Sequence, residues 1–167
     1  MAAIRLAAPG AGDLGWIVAE HGRYYRDLLG LPLSFEAKVA EGLASLVLSP
    51  ADGRSAVFVA WLGDERVGSV AIDGSDPQGW GRLRFFIVSE AARGQGVGRA
   101  LIDSAMAHCH ACGFERMYLT TVAGLDAARR LYEASGFQLA DAHEDATWGR
   151  RLCEQRFEWH RPTEAAQ

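Results

Sequence analysis

Arg93-Gly94-Gln95-Gly96-Val97-Gly98-Arg99 sets three glycines within five residues between two arginines. Without Cβ atoms, the backbone can come close to a ligand and turn its N–H groups toward it. A strand-like stretch precedes the loop and a helical pattern follows it, so the unpaired donors and partial positive charge of a helix N-terminus fall at the same point. Arg93 and Arg99 add full charges beside them. The combination is an anion site, and a pyrophosphate suits it. Two familiar phosphate loops do not fit: the Gly-Lys-Ser/Thr ending is missing, and the glycines stand one residue apart rather than as Gly-x-Gly-x-x-Gly. The competing reading is that the glycines only make a tight turn and a close helix contact.

His108-Cys109-His110-Ala111-Cys112 is a second group with chemical potential, since imidazoles and thiolates bind zinc. On a helix, Cys109 and Cys112 belong to the apolar face while His108 lies away from them, and no second cysteine pair follows. No metal site is expected, and the cysteines read as core. A redox Cys-x-x-Cys fares no better, because the end of a helix disfavours a thiolate.

These residues need elements to hold them. Residues 4–7 form a short strand candidate, Pro9-Gly10 breaks it, and Asp13 caps a helix through Trp16, Ile17, Val18 and Tyr24. Residues 28–33 read as a turn, and Ser34 opens a second helix carrying Phe35, Val39, Leu43 and Leu46 that stops at Ser49-Pro50. The period then changes: 56–61 and 66–72 flank Gly63-Asp64 as a hairpin, and 83–88 make a third strand. Residues 97–112 are helical and end at Gly113; 115–121 form a strand, 126–134 a helix closed by Gly136, and 137–140 and 152–159 the last strands. The order is β-α-α-β-β-β-α-β-α-β-β.

Val88-x-x-x-x-Arg93-Gly94-x-Gly96-x-Gly98 resembles the Q/R-x-x-G-x-G/A signature of the GNAT superfamily of acyl-CoA-dependent N-acyltransferases, and Ala127-Ala128-Arg129-Arg130-Leu131-Tyr132-Glu133-Ala134-Ser135-Gly136-Phe137 resembles that family's A-x-x-L-Y-E-x-x-G-F segment. The likeness covers residues 55–140, and the opening Ile4-Arg5-x-Ala7 with Asp13-Leu14 is of the same type. The C-terminal Trp148-Gly149-Arg150-Arg151-Leu152, with Phe157-Glu158-Trp159, is similar to GNAT domains that follow a MarR-type regulator in some bacterial proteins. The resemblance implies an α/β domain over residues 1–160, with a mixed, mostly antiparallel sheet of six to seven strands flanked by about four helices, and a polar tail at 161–167. It also implies a strand that splays from its neighbour so that Phe86, Ile87 and Val88 meet the pantetheine arm of acetyl-CoA, while Arg93, Gly94, Gln95, Gly96, Val97, Gly98 and Arg99 hold the pyrophosphate.

Amine acylation needs a neutral amine, room for a tetrahedral intermediate and a proton for the departing thiolate. The resemblance places Tyr132 as the general acid; its competing reading is a core tyrosine beside Leu131. Arg84 stands where many relatives carry a glutamate base, and Leu125 where many carry an asparagine that touches coenzyme A. Arg129, one turn before Tyr132, is then a candidate for a cofactor phosphate. Glu144, Glu158, His143 and Glu36 are open candidates for the base, and Thr120 and Thr121 for the wall of the reaction site. Tyr24, Tyr25, Trp16 and Phe35 either wall a substrate pocket or pack on the sheet. No serine or cysteine sits in a nucleophile's setting, so transfer is direct.

Composition narrows the partners. One domain of 167 residues with 49% hydrophobic and 23% charged residues needs no disulfide or metal to fold. No apolar run nears the roughly 20 residues of a membrane span, and the N-terminus lacks the pattern of a signal peptide. Three cysteines suit a reducing compartment, so a cytoplasmic location is expected. The net charge of −4 argues against nucleic acid and leans toward a cationic amine, small-molecule or peptide. A homodimer is compatible with all of this. A non-catalytic acyl-CoA sensor is the competing function, supported by Arg84 and Leu125.

Overall fold

Alternation of buried side chains along the central strands divides the hydrophobic residues between two cores. Val70 and Ile72 face one side, and Ala71 between them faces the other. The computed structural model describes residues 2–49 and 52–163. Its elements are β1 (Ile4–Ala7), α1 (Asp13–Leu29), α2 (Leu33–Leu48), β2 (Ala56–Leu62), β3 (Glu65–Asp73), β4 (Gly81–Val88), a 3-10 turn (Glu90–Ala92), α3 (Val97–Ala111), β5 (Arg116–Val122), α4 (Asp126–Ala134), β6 (Gln138–Asp145) and β7 (Leu152–His160). The order of elements is the expected one. Pro50, named as the stop of the second helix, and 164–167 of the polar tail lie outside the described residues.

Seven strands form one sheet in the order β1-β2-β3-β4-β5-β7-β6. Every neighbouring pair is antiparallel except β4 and β5. This is the mixed, mostly antiparallel sheet with four helices that the resemblance implied. On one face Ile17 of α1 and Leu43 and Leu46 of α2 close over Val57, Val59 and Ala71. On the other, Val97, Leu101, Ile102 and Ala105 of α3, with Tyr132 of α4, close over Val67, Val70, Met117 and Leu119.

Three local departures have physical causes. Asp13 is the first residue of α1 and does not cap it; Gly12, in the left-handed region at φ 86°, precedes the helix. The Asp13 carboxylate instead accepts the Gly10 N–H at 2.7 Å and pairs with Arg66. Burial would raise its pKa, but the Gly10 hydrogen bond and the Arg66 guanidinium hold it below the usual carboxylate value. Second, α1 runs through the expected turn at 28–33 as far as Leu29, and Gly30 at φ 65° ends it. Third, β6 reaches Asp145 rather than residue 140. All but one of its eight residues are exposed, so its pairing with β7 leaves no apolar alternation to read.

Two features of β4 shape the site. Between Ser69 and Ala71 of β3, the partner jumps from Ile87 to Arg84, so β4 carries a bulge. Phe85 sits in it at φ 52°, and the Ser69 hydroxyl donates to its carbonyl at 2.7 Å. A bulky side chain in that region costs about 1–2 kcal/mol. Beyond the bulge, β4 leaves β5: their parallel pairing covers only Gly81 with Met117 and Arg82 with Tyr118. Ser89 N–H bonds to Val67 C=O and Ile87 stands opposite Ser69, so strand alternation turns the backbone of Val88 away from β3 and into the gap.

Candidate active site

A cleft of about 730 Å³ opens along the end of β4 that has left β5. Its walls include Phe86, Ile87 and Val88 of β4, Arg93, Gly94 and Gly96 of the loop, Val97, Gly98 and Arg99 of α3, and the residues from Gly124 to Ala128 at the start of α4. Tyr24, Tyr25 and Leu28 of α1 complete it. The cleft therefore gathers nine of the eleven residues that pattern and resemblance assigned to the cofactor.

The loop leaves backbone donors free at the start of α3. Gly94 and Gly96 take φ values of 75° and 84°, a region open to glycine and costly for other residues. The N–H groups of Val97, Gly98 and Arg99 precede the first intrahelical bond, from Ala100 N–H to Gly96 C=O. No side chain caps them, and the first turn of α3 holds no acid. The other three helices each have one there: Asp13, Glu36 and Asp126. Among the helices of the described residues, only α3 thus leaves its positive end without a built-in carboxylate. Gly98 has a separate reason to be glycine, because a Cβ there would stand 2.9 Å from Leu131 of α4.

Two candidate residues fall elsewhere. Gln95 turns to the surface, where its amide donates to Ala91 C=O at 3.0 Å. Arg129 bonds Glu133 at 2.8 Å, one turn on, and lies over the Phe157 ring at 5.4 Å, so it does not line the cleft. The next residue, Arg130, does, and among the described residues it makes no ion pair. The i,i+4 spacing of Arg129 and Glu133 was the signal that could have separated the two arginines. With acetyl-CoA in this cleft, as the resemblance implies, Arg130→Ala is expected to raise its KM about tenfold through loss of a hydrogen bond to a charged group, and Arg129→Ala to leave it within about twofold. Steady-state kinetics on both variants checks this; equal effects would remove the distinction.

A second cavity of about 600 Å³ lies on the other side of Tyr132. Arg82, Arg84, Phe85, Thr120, Thr121 and Glu154 line it from the sheet, His21, Tyr25, Phe35, Lys38 and Glu41 from α1 and α2, and Trp148 from the loop before β7. Tyr25, Phe86 and Tyr132 are walls of both cavities. Of the aromatic residues on the first two helices, Tyr24, Tyr25 and Phe35 line cavities, while Trp16 packs on the core beneath α1. Leu125 lines the first cleft.

Tyr132 is 5% exposed and meets Phe86 and Phe137 edge-on at 5.7 and 6.4 Å. Burial, with the nearby Tyr25 and Tyr24, pushes its phenol well above the ordinary value of 10.0, so it stays protonated. Tyr25 is pushed up to about 12, again chiefly by burial. None of the four base candidates lines the second cavity. His143 pairs with Asp141, Glu144 with Arg151 and Glu158 with Arg156, and Glu36 lies against Gly22. The proton acceptors that the cavity does contain are Glu154, Glu41 and His21. Glu41 is tied to Lys38 at 2.7 Å. His21, its Nδ1 2.8 Å from Ile17 C=O, is held down to about 4 by burial and is a weak base. Glu154 had no signal in the sequence, because its position opposite Val122 follows from strand register alone.

Cys112 Sγ lies 3.4 Å from His108 Nε2, so these two side chains meet rather than diverge. They are four residues apart, one helical turn. Among the described residues, no three His, Cys, Asp or Glu side chains converge as a metal site would require, and no helix is long and apolar enough to cross a membrane.

Residues 27–137 match the model of the acetyltransferase (GNAT) family. The chain is 36% identical over 85 residues to mycothiol acetyltransferase of Geodermatophilus obscurus, a stretch that is 48% of this chain and 28% of that protein. It is 30% identical over 108 residues to an uncharacterised N-acetyltransferase of Bacillus subtilis, 63% of this chain and 71% of that one. A GNAT-family acetyltransferase of Staphylococcus aureus superposes with a TM-score of 0.74 at 13% identity, over 95% of this chain and 99% of the other. A Salmonella typhimurium protein solved with its cofactor acetyl-CoA gives 0.73 at 16% identity, over 99% and 98%. At these identities the two structures are alike in fold.

Proposed function

The chain belongs to the acetyltransferase (GNAT) family, and from that premise we propose that it moves the acetyl group of acetyl-CoA to a primary amine by direct attack in a ternary complex. The observation that carries this reading is the shared wall: Tyr132 borders both the cleft at the α3 N-terminus and the cavity beyond it. A thioester reaching along the gap from the loop would meet, at Tyr132, an amine entering from the other side. The first cleft suits acetyl-CoA on its own chemistry. Arg93, Arg130 and the bare N-terminus of α3 answer a pyrophosphate, and the free backbone of Val88 answers the amides of a pantetheine arm.

Acetyl-CoA supplies an activated acyl group whose leaving atom is sulfur. The chain's residues hold that group, exclude water and supply a proton. Tyr132, protonated because it is buried, donates a hydrogen bond to the sulfur as negative charge develops there. So raised a phenol is a weak acid, so its proton follows only as the C–S bond breaks, and the proton that the nitrogen sheds on acylation restores the phenol. Thr120 and Thr121 line the acceptor side.

A sensor that binds acyl-CoA without turnover is the second reading. It is favoured by Arg84, which occupies β4 in an ion pair with Asp73 and offers no base. Release of free thiol from acetyl-CoA, followed with a thiol-reactive dye while amines are added, separates the two. Amine-dependent release with intersecting double-reciprocal lines is expected; tight binding of acetyl-CoA without such release would assign the sensor.

A further inference from the structure

The second cavity holds charges that acetyl transfer as such does not require. Arg82 and Arg84 are two residues apart on β4, and both line it. Arg84 is bound to Asp73 at 3.2 Å. Among the described residues Arg82 makes no ion pair: one terminal nitrogen reaches Thr120 Oγ1 at 3.3 Å, and its guanidinium lies 5.6 Å from the centre of the Tyr118 ring. Its Nε is buried with no hydrogen-bond partner. Burial and the neighbouring Arg82 charge both depress the Arg84 pKa, with Asp73 opposing them. A buried donor without a partner is costly; Nε is closed to the cavity, but the second terminal nitrogen makes no hydrogen bond among the described residues, and an oxyanion would satisfy it.

The same cavity holds an unmatched charge of the other sign. Glu154 stands opposite Val122 on β7 and makes no ion pair among the described residues, whereas Glu41 is taken by Lys38. Arg82 is anchored at Thr120, two residues from Val122 and on the same face of β5. Two strand residues span roughly 7 Å. That distance accommodates a small molecule that receives a hydrogen bond from Arg82 at one end and gives one to Glu154 at the other.

Resting on the acetyl-transfer reading, we propose that the acceptor is a small zwitterion, an amine whose own molecule carries a carboxylate, with Arg82 holding the carboxylate and Glu154 facing the ammonium. The test compares the common α-amino acids with their carboxamides and decarboxylated amines. Binding to the coenzyme A-loaded protein is measured by calorimetry and turnover of acetyl-CoA by thiol release. At least one acid is expected to bind about tenfold or more tightly than its carboxamide, the scale of a hydrogen bond to a charged group. Arg82→Gln should abolish that preference while leaving the carboxamide and coenzyme A affinities unchanged. If no acid exceeds its carboxamide, or Arg82→Gln weakens both alike, the proposal is overturned. A binding preference without thiol release overturns the acetyl-transfer reading and leaves the zwitterion site standing. Thiol release with simple amines and carboxamides as fast as with acids does the reverse.

Discussion

Tyr132→Phe is expected to lower kcat by about 100-fold or more, within the range that a positioned acid contributes, while the KM for acetyl-CoA stays within about threefold. The substitution isolates the phenol unusually well. Phenylalanine keeps the ring that packs against Phe86, Phe137 and Phe157 at 5.7 to 6.4 Å. The hydroxyl has no hydrogen-bond partner among the described residues, so nothing in the fold is orphaned by its loss. Thermal unfolding should therefore barely move, and the deficit should appear at saturating substrate. Tyr25 is the internal comparison, being the other phenol that borders both cavities. Tyr25→Phe is expected to keep most of the rate. Full activity in the Tyr132 variant with loss in the Tyr25 variant would transfer the role from α4 to α1.

Gly96→Val is expected to raise the KM for acetyl-CoA about tenfold or more with a smaller change in kcat. At φ 84° Gly96 immediately precedes α3, and a β-branched residue is excluded from that region except under strain. Forcing it to relax re-aims the N–H groups of the first turn, which are the proposed contacts of the pyrophosphate. Isothermal titration with coenzyme A and the kinetic KM should show the same loss. Unchanged binding would mean that the loop serves only to turn the chain, the reading that the glycines alone left open.

The elements were legible in the sequence wherever period and punctuation agreed. The hairpin around Gly63-Asp64, α3 and α4 all show an apolar stripe bounded by glycine or a capping residue, and they form as expected. β6 runs beyond its legible stretch because its exposed residues carry no alternation, and α1 continues two residues into the stretch that reads as a turn. At the site, the loop is legible as a strand-to-helix turn, and Gly94 and Gly96 take the left-handed angles that its glycines imply. What pairing does to a side chain is less legible. Arg130 faces the cleft while its neighbour Arg129 is held by Glu133, and only the i,i+4 spacing of that pair hints at it in the sequence. Glu154 and Arg82 come together through the register of three strands that are distant in the chain, a relation that no local window contains.

The parting of β4 from β5 also bears on how the molecule holds together. Two residue pairs are the whole backbone seam between a four-stranded half, β1 to β4, and a three-stranded half, β5 to β7. The remaining hold comes from side chains, above all α3 lying against the first half and meeting the second through Met117, Leu119 and α4. A ligand laid along the gap would take the place of the missing ladder and add to the cohesion of both halves at once. With the donor lying there as proposed, the energy of capturing it would partly be the energy of closing the sheet.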